Sequence, residues 1–262
     1  MNLNPDHPLV RLYRKRIANN QDCVLLVSDH QNRRGTGKTV LSLKLAAMLD
    51  RTDDGLTTEK VAIDPSRLTD AYIELPKGSA LVLDEAEAGL SKYEAASAVN
   101  KAMRELISMG RIREKMVVLN LPSSSELDRD LKALCDYWVL VQNKGLAQGH
   151  HLNWNPYSEE PRTPKAGTIE WSDIDDGTQL RSIYKYLTEE KLAHLRGDRD
   201  ESSQRIPASD VQEKVEKERK AVKTETRNEL LESVYRDTEL TQKELANSVG
   251  LSRSRLADIV SE

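Results

Sequence analysis

The sequence contains no phenylalanine, only two cysteines, and aromatic residues at 4% of its 262 positions. Without Phe, the bulk of any core must come from Leu, Val, Ile and a few Tyr and Trp. Neither Cys23 nor Cys135 has a Cys-x-x-Cys partner or Cys/His spacing. That argues against a zinc site or disulfide framework and for buried, reduced thiols. Long apolar runs are missing as well. Apolar runs such as those at 24–27 and 80–83 fall far short of the roughly 20 residues needed to cross a bilayer, and residues 1–20 carry no apolar signal-peptide core. The expectation is a cytoplasmic protein with no membrane span. Nor is positive charge in excess: 39 Lys and Arg stand against 43 Asp and Glu, a net charge of −4. This excludes a generally basic nucleic-acid coat and leaves room for a local basic face.

Within these limits the chain is organised in sections. From 22 to 143, short β-rich apolar runs alternate with longer helical stretches, which is the pattern of a parallel sheet covered by helices. Strands are expected at 22–28, 60–64, 79–84, 116–121 and 137–142, and helices at 39–49, 65–73, 92–109 and 124–134. The apolar runs are continuous, not alternating, so these strands should be buried on both faces. After Asn143 the texture changes to Trp, Pro, Gly and Thr with short alternating pieces, read as a β-hairpin extension over 144–187. The expected division is an N-terminal helical arm at 1–20, an α/β domain at 21–187, a charged linker at 188–226 and a small helical domain at 227–262. The linker assignment rests on 10 acidic and 9 basic residues between 189 and 226 with few large apolar ones; a further helix is expected at 211–223.

The segment Asn32-Arg33-Arg34-Gly35-Thr36-Gly37-Lys38-Thr39 follows the first expected strand and opens the first expected helix. It fits the spacing G-x-x-x-x-G-K-[ST] of a phosphate-binding loop with Asn32 in the first Gly position, and Asn tolerates positive φ. Gly35 and Gly37 allow the backbone to approach phosphate oxygens. The amides from Arg34 to Val40 and the positive helix end would cradle the anion. Lys38 would reach the β- and γ-phosphates, and the Thr39 hydroxyl would ligate Mg²⁺. The implied ligands are ATP and Mg²⁺.

A second apolar strand ends in Asp84-Glu85, 46 residues after Lys38. The gap holds a helix, a strand and another helix, which would insert this strand beside the one carrying the phosphate loop. Asp84 is then the carboxylate that holds Mg²⁺, directly or through water, and Glu85 the base that polarises water; the plainer alternative is that both acids cap a following helix. Asn120, or Ser123 just beyond it, lies at a strand tip, where open α/β sheets bind ligands, and could hold the attacking water. Arg111 and Arg113 follow the expected long helix. Either they answer its C-terminal dipole, or one reaches the ATP of a neighbouring subunit as an arginine finger.

Taken together, Asn32 to Thr39, Leu81 to Glu87 and the run Val117-Val118-Leu119-Asn120-Leu121-Pro122-Ser123 resemble the P-loop ATPases of archaeal plasmids and viruses, the FtsK–HerA division with its zonular occludens toxin-like branch. The resemblance covers roughly 21–143. It implies a RecA-like ASCE fold in the α/β class, ATP hydrolysis, a homo-oligomer that is often a hexamer, and movement or packaging of DNA.

Residues 241–260 fit a helix-turn-helix. Ala246 is the small residue where helices touch, Gly250 opens the turn, and Leu245, Val249, Leu251, Leu256 and Ile259 form the expected core, with 227–235 as support helix. Thr241 and Ser252 are N-cap candidates. Ser252, Arg253, Ser254 and Arg255 would start a recognition helix facing DNA, unless the bundle serves protein contacts. From 227 to 262 the chain has 5 basic and 7 acidic residues, so one module should bind DNA weakly and several together by avidity. The expected function is ATP-driven translocation, packaging or segregation of a plasmid or viral genome. The alternative is an ATP-gated transcriptional or copy-number regulator.

Overall fold

A computed structural model describes residues 1, 3–30, 33, 35–84, 114–121, 129–155, 160–196, 224, 227–228, 230–238 and 240–260. The chain divides into two compact units, Met1–Val211 and Gln212–Glu262.

The first unit is a mixed α/β structure. Its elements in chain order are α1 (Pro8–Ala18), β1 (Cys23–Asp29), α2 (Lys38–Leu49), β2 (Val61–Ala62), α3 (Pro65–Glu74), β3 (Ala80–Asp84), β4 (Met116–Asn120), α4 (Arg129–Leu134), β5 (Tyr137–Asn143), β6 (Leu146–His151), β7 (Asn153–Asn155), β8 (Glu160–Arg162), β9 (Lys165–Glu170) and α5 (Gln179–Arg196). Seven strands form one sheet in the order β2-β3-β4-β1-β5-β6-β9, and β7 pairs with β8 in a separate two-stranded ribbon. Pairings from β2 through β5 are parallel, and β5–β6 and β6–β9 are antiparallel.

The central strands are apolar on both faces because both are covered. In β1, β3 and β4 every residue is buried. Cys23, Leu25, Val27, Val82 and Val118 point into a core shared with Leu9 and Tyr13 of α1, Leu41 and Leu45 of α2, and Ile183 and Leu187 of α5. The alternate residues Val24, Leu26, Leu81, Leu83, Val117 and Leu119 face the other way and are buried too. In β5, by contrast, burial alternates from Tyr137 to Val141 and the last two residues are exposed.

Buried polar groups at the strand starts are paired. Asp50, which caps α2, accepts the Ala80 amide at 2.8 Å and the Lys60 ammonium at 2.9 Å, tying the helix end to the start of β3. Burial raises the cost of this charge, but the amides of Ala80 and Thr52 and the side chains of Thr52 and Lys60 outweigh it and hold the carboxyl below its ordinary value. Cys23 and Cys135 are buried thiols outside any disulfide, and burial pushes both up to about 12.

Several expectations are corrected. The strand ending in Asp84 does not lie beside β1, since β4 runs between them in register with both. Strand β2 is two residues long, so most of the expected run 60–64 is not strand. The residues after Asn143 are not an appended hairpin alone, because β6 and β9 extend the main sheet. Within the stretch expected as a helical arm, α1 packs Leu9, 0% exposed, into the core of the sheet unit. Helix α5 runs to Arg196, through the start of the stretch expected to be linker. The expected helices at 92–109 and 211–223, and residues 124–128 of the one at 124–134, lie outside the described residues. No helix among the described residues is long and apolar enough to cross a membrane.

The second unit is small. Residues 230–237 are helical, followed by α6 (Gln242–Val249) and α7 (Arg253–Val260). Thr241 and Glu244 form a reciprocal capping box: the Glu244 amide donates to Thr241 Oγ1 at 3.3 Å and the Thr241 amide to Glu244 Oε2 at 3.0 Å. Gly250 ends α6 with φ 68°, the left-handed cap that glycine adopts without steric cost. Leu231, Leu245, Ala246 and Leu256 are buried, with Val234, Tyr235, Leu251 and Ile259 packed against them. Val249, expected in this core, is 42% exposed. The chain reverses at Gly250, and Leu251, whose amide donates to the Ala246 carbonyl at 2.9 Å, packs against the cluster in its stead.

Candidate phosphate and metal site

Parallel strands aligned in register bring their C-terminal ends to one edge of the sheet. Asp84 pairs with Asn120, and Asn120 with Val27 of β1, so the expected acid, the expected polar tip and the strand entering the glycine loop stand in adjacent positions. The loop follows β1 and feeds directly into α2. Gly35 and Gly37 have φ of 73° and 85°, a region costly to any residue with a Cβ. Gly37 is the N-cap of α2 and no side chain caps it, so the first-turn amides, those of Lys38, Thr39 and Val40 among them, lack helical partners. A Cβ on Gly37 would also lie 3.5 Å from Trp171 Nε1 and 3.9 Å from Lys144 Cγ, which puts the β5–β6 turn and the end of β9 against the loop.

Asp29, the last residue of β1, anchors this loop, a role that motif spacing alone does not reveal. It is 3% exposed and accepts the Arg33 amide at 3.0 Å, with Arg33 Nε at 3.6 Å. The Arg33 guanidinium also donates to the Gln142 carbonyl on β5. Lys38 Nζ donates back to the Arg33 carbonyl at 3.3 Å. An acid directly after an apolar strand and four residues before an arginine is the signal the sequence offers for it.

The metal-ligating chemistry lies beside it. Thr39 Oγ1 donates to Asp84 Oδ2 at 2.9 Å, and Asp84 is fully buried. Asn120 Nδ2 donates to the other oxygen, Oδ1. Asn120 is therefore tied to the carboxylate, and its own Oδ1 is buried with no hydrogen-bond partner among the described residues. Thr36 Oγ1 is in the same condition. A third donor reaches Asp84 from a distant element: Lys191 Nζ of α5 lies 2.7 Å from Oδ2.

This donor set suits a magnesium–nucleotide. A hydroxyl and a carboxylate, both hard oxygen ligands, sit together. An uncapped helix start behind two positive-φ glycines offers amides to phosphate, and the buried Asn120 Oδ1 and Thr36 Oγ1 have no hydrogen-bond partner among the described residues. Arg34, Glu85, Arg111, Arg113 and Ser123 lie outside the described residues, as does Asn32. Among the described residues no group of His, Cys, Asp and Glu could hold a metal by itself.

In the second unit, Ser252, Arg253, Ser254 and Arg255 are all exposed. Ser252 is engaged in capping α7: its Oγ accepts the Arg255 amide at 3.3 Å and its carbonyl accepts the Leu256 amide at 3.0 Å. The two arginines project from the first turn with no ion-pair partner among the described residues.

No known family profile matches the chain, and no curated protein does. Among solved structures the chain is similar to the N-terminal domain of zonular occludens toxin from Neisseria meningitidis, at 16% identity and a TM-score of 0.36, covering 63% of this chain and 98% of that one.

Proposed function

We propose that the chain is a P-loop ATPase acting on DNA. The observation that carries this reading is the meeting of the Thr39 hydroxyl with the buried Asp84 carboxylate at 2.9 Å, directly behind the Gly35–Lys38 turn. The sheet order supports it: β4 stands between the strand of the loop and the strand of the acid, as in RecA-like ASCE proteins.

Thr39 and Asp84 would hold Mg²⁺, which when bound neutralises charge on the β- and γ-phosphates. The first-turn amides and Lys38 bind and orient those phosphates. Asn120, fixed by its bond to Asp84, presents Oδ1 to an attacking water. Glu85 follows Asp84 directly in sequence and is the base that accepts the proton of that water. Arg113 or Arg111 of a neighbouring subunit would complete the site in a homo-oligomer such as a hexameric ring. The α6–turn–α7 pair is a helix-turn-helix whose Ser252, Arg253, Ser254 and Arg255 face DNA.

The test is nucleotide binding and hydrolysis with and without duplex DNA. Lys38→Ala should abolish Mg²⁺–ATP binding or turnover with an unchanged thermal unfolding midpoint, and wild-type hydrolysis by this variant would remove the assignment. Hydrolysis that DNA strongly stimulates marks a translocating or packaging enzyme. Slow hydrolysis indifferent to DNA, with ATP changing only DNA affinity or assembly, marks the regulator instead.

A further inference from the structure

Helix α5 delivers a cation to the candidate site from more than 100 positions away in the chain. Lys191 Nζ lies 2.7 Å from Asp84 Oδ2, with the lysine side chain 22% and the aspartate 0% exposed. The same oxygen accepts the Thr39 hydroxyl at 2.9 Å. Without metal, the buried carboxylate is thus compensated by an ammonium. The helix itself is held in place. Ile183 and Leu187 are buried in the main core at 2% and 1% exposure, and Arg67 of α3 bonds both Glu190 and Tyr186 at 2.7 Å. The four-carbon lysine stem is long enough to swing off Asp84 while the helix stays in place.

An ammonium and a divalent cation sharing one carboxylate oxygen in a buried setting repel strongly. We infer that Lys191 is a positioning residue of the nucleotide site, one that holds Asp84 in its ligating orientation before loading and is displaced when Mg²⁺ and nucleotide enter. This rests on the P-loop reading of Asp84 and Thr39. Its consequence is that the magnesium requirement of the protein is set partly by α5: Lys191 competes with the metal and raises the concentration at which nucleotide binding becomes half-maximal. Each loading event also releases a charged side chain near the end of α5, so occupancy is registered on a helix outside the phosphate loop.

The experiment titrates Mg²⁺ against the full chain and follows binding of a fluorescent, non-hydrolysable ATP analogue. Lys191→Gln, which removes the charge and keeps a donor, should lower the half-saturating Mg²⁺ concentration about tenfold, and Lys191→Arg should stay near wild type. In an Asp84→Asn background the Lys191→Gln effect should vanish. Thermal unfolding of each variant separates a folding defect from a metal effect, and if Lys191→Gln fails to fold, the Lys191→Arg and Lys191→Met pair is compared in its place. An unchanged or raised magnesium requirement in a folded, uncharged variant overturns the inference while leaving the nucleotide site intact. A wild-type chain that binds no nucleotide at any Mg²⁺ concentration overturns the P-loop reading, and this inference with it.

Discussion

The phosphate-loop edge of the sheet and the small C-terminal unit are stabilised in opposite ways. At the sheet edge, polar side chains are buried and bonded to one another: Asp84 is 0% exposed with Thr39, Asn120 and Lys191 on it, and Asp29 at 3% holds the loop. In the C-terminal unit four of the described residues are buried, the helices α6 and α7 are eight residues each, and local devices set their limits. The arginines that carry its proposed function stand in solvent. A buried polar network makes each member expensive to remove, because its partners are left desolvated. An exposed basic cluster acts by adding charges in solvent, where each contributes modestly. On the proposed reading, one region would serve chemistry that needs fixed geometry, the other a surface that is read by its charge.

The comparison can be tested by the size of the response. The largest expected effect is on stability of the sheet unit: Asp50→Ala strands the Lys60 ammonium, 3% exposed, and should cost about 3–5 kcal/mol, as breaking a buried pair does, measured by denaturant unfolding. The folded-state value of Asp50 is lowered, so its contribution is present at neutral pH and is lost as pH falls below about 4, where the unfolded chain takes up the proton first. A wild-type unfolding midpoint that is flat across that range would count against it. Next, Glu85→Gln should retain bound ATP and reduce turnover by about two orders of magnitude, read in single-turnover hydrolysis. Normal turnover would place the base elsewhere.

The effects in the C-terminal unit should be smaller. Arg253→Ala with Arg255→Ala should weaken duplex DNA binding by about 1–3 kcal/mol if one of them makes a bidentate base contact, and flatten the salt dependence by about one unit of slope for each phosphate no longer neutralised. Basal ATPase should persist. If affinity and salt slope both stay unaltered, the unit is a protein-contact module. Smallest of all, Thr241→Ala removes one half of the capping box and should lower the stability of that unit by about 1 kcal/mol, seen as faster amide exchange at Glu244. A loss several times larger would mean that the unit is not held as locally as its short helices suggest.

What the sequence made legible follows the range of the forces involved. The loop Gly35–Thr39, the acid ending β3 and the capping residues Thr241 and Gly250 are set by neighbours a few positions away, and motif and periodicity expose such residues directly. Strand order is different. That β4 runs between β1 and β3 is a long-range pairing that no local pattern encodes, so Asp84 and Asn120 could be named separately but not as a bonded pair. Lys191 was hidden for a further reason. It lies in a charge-dense stretch whose inward-facing stripe, Ile183 and Leu187, ends before it, so the last turns of α5 look like solvated linker. The strands β6 and β9 read as a β-hairpin extension without a place in the main sheet, because antiparallel edges carry the same alternation whether they stand alone or extend a larger sheet.

Gly37 is confined on one side by an indole, since Trp171 Nε1 lies 3.5 Å from the place a methyl group there would occupy. Trp171 is 8% exposed and its backbone amide donates to the Gly145 carbonyl at 3.1 Å, so the indole is packed in the protein beside the glycine loop. A nucleotide bound as proposed would then be readable without label as a change in Trp171 emission, over the background of Trp154 and of Trp138, whose ring is tilted against His150 at 5.2 Å between centres.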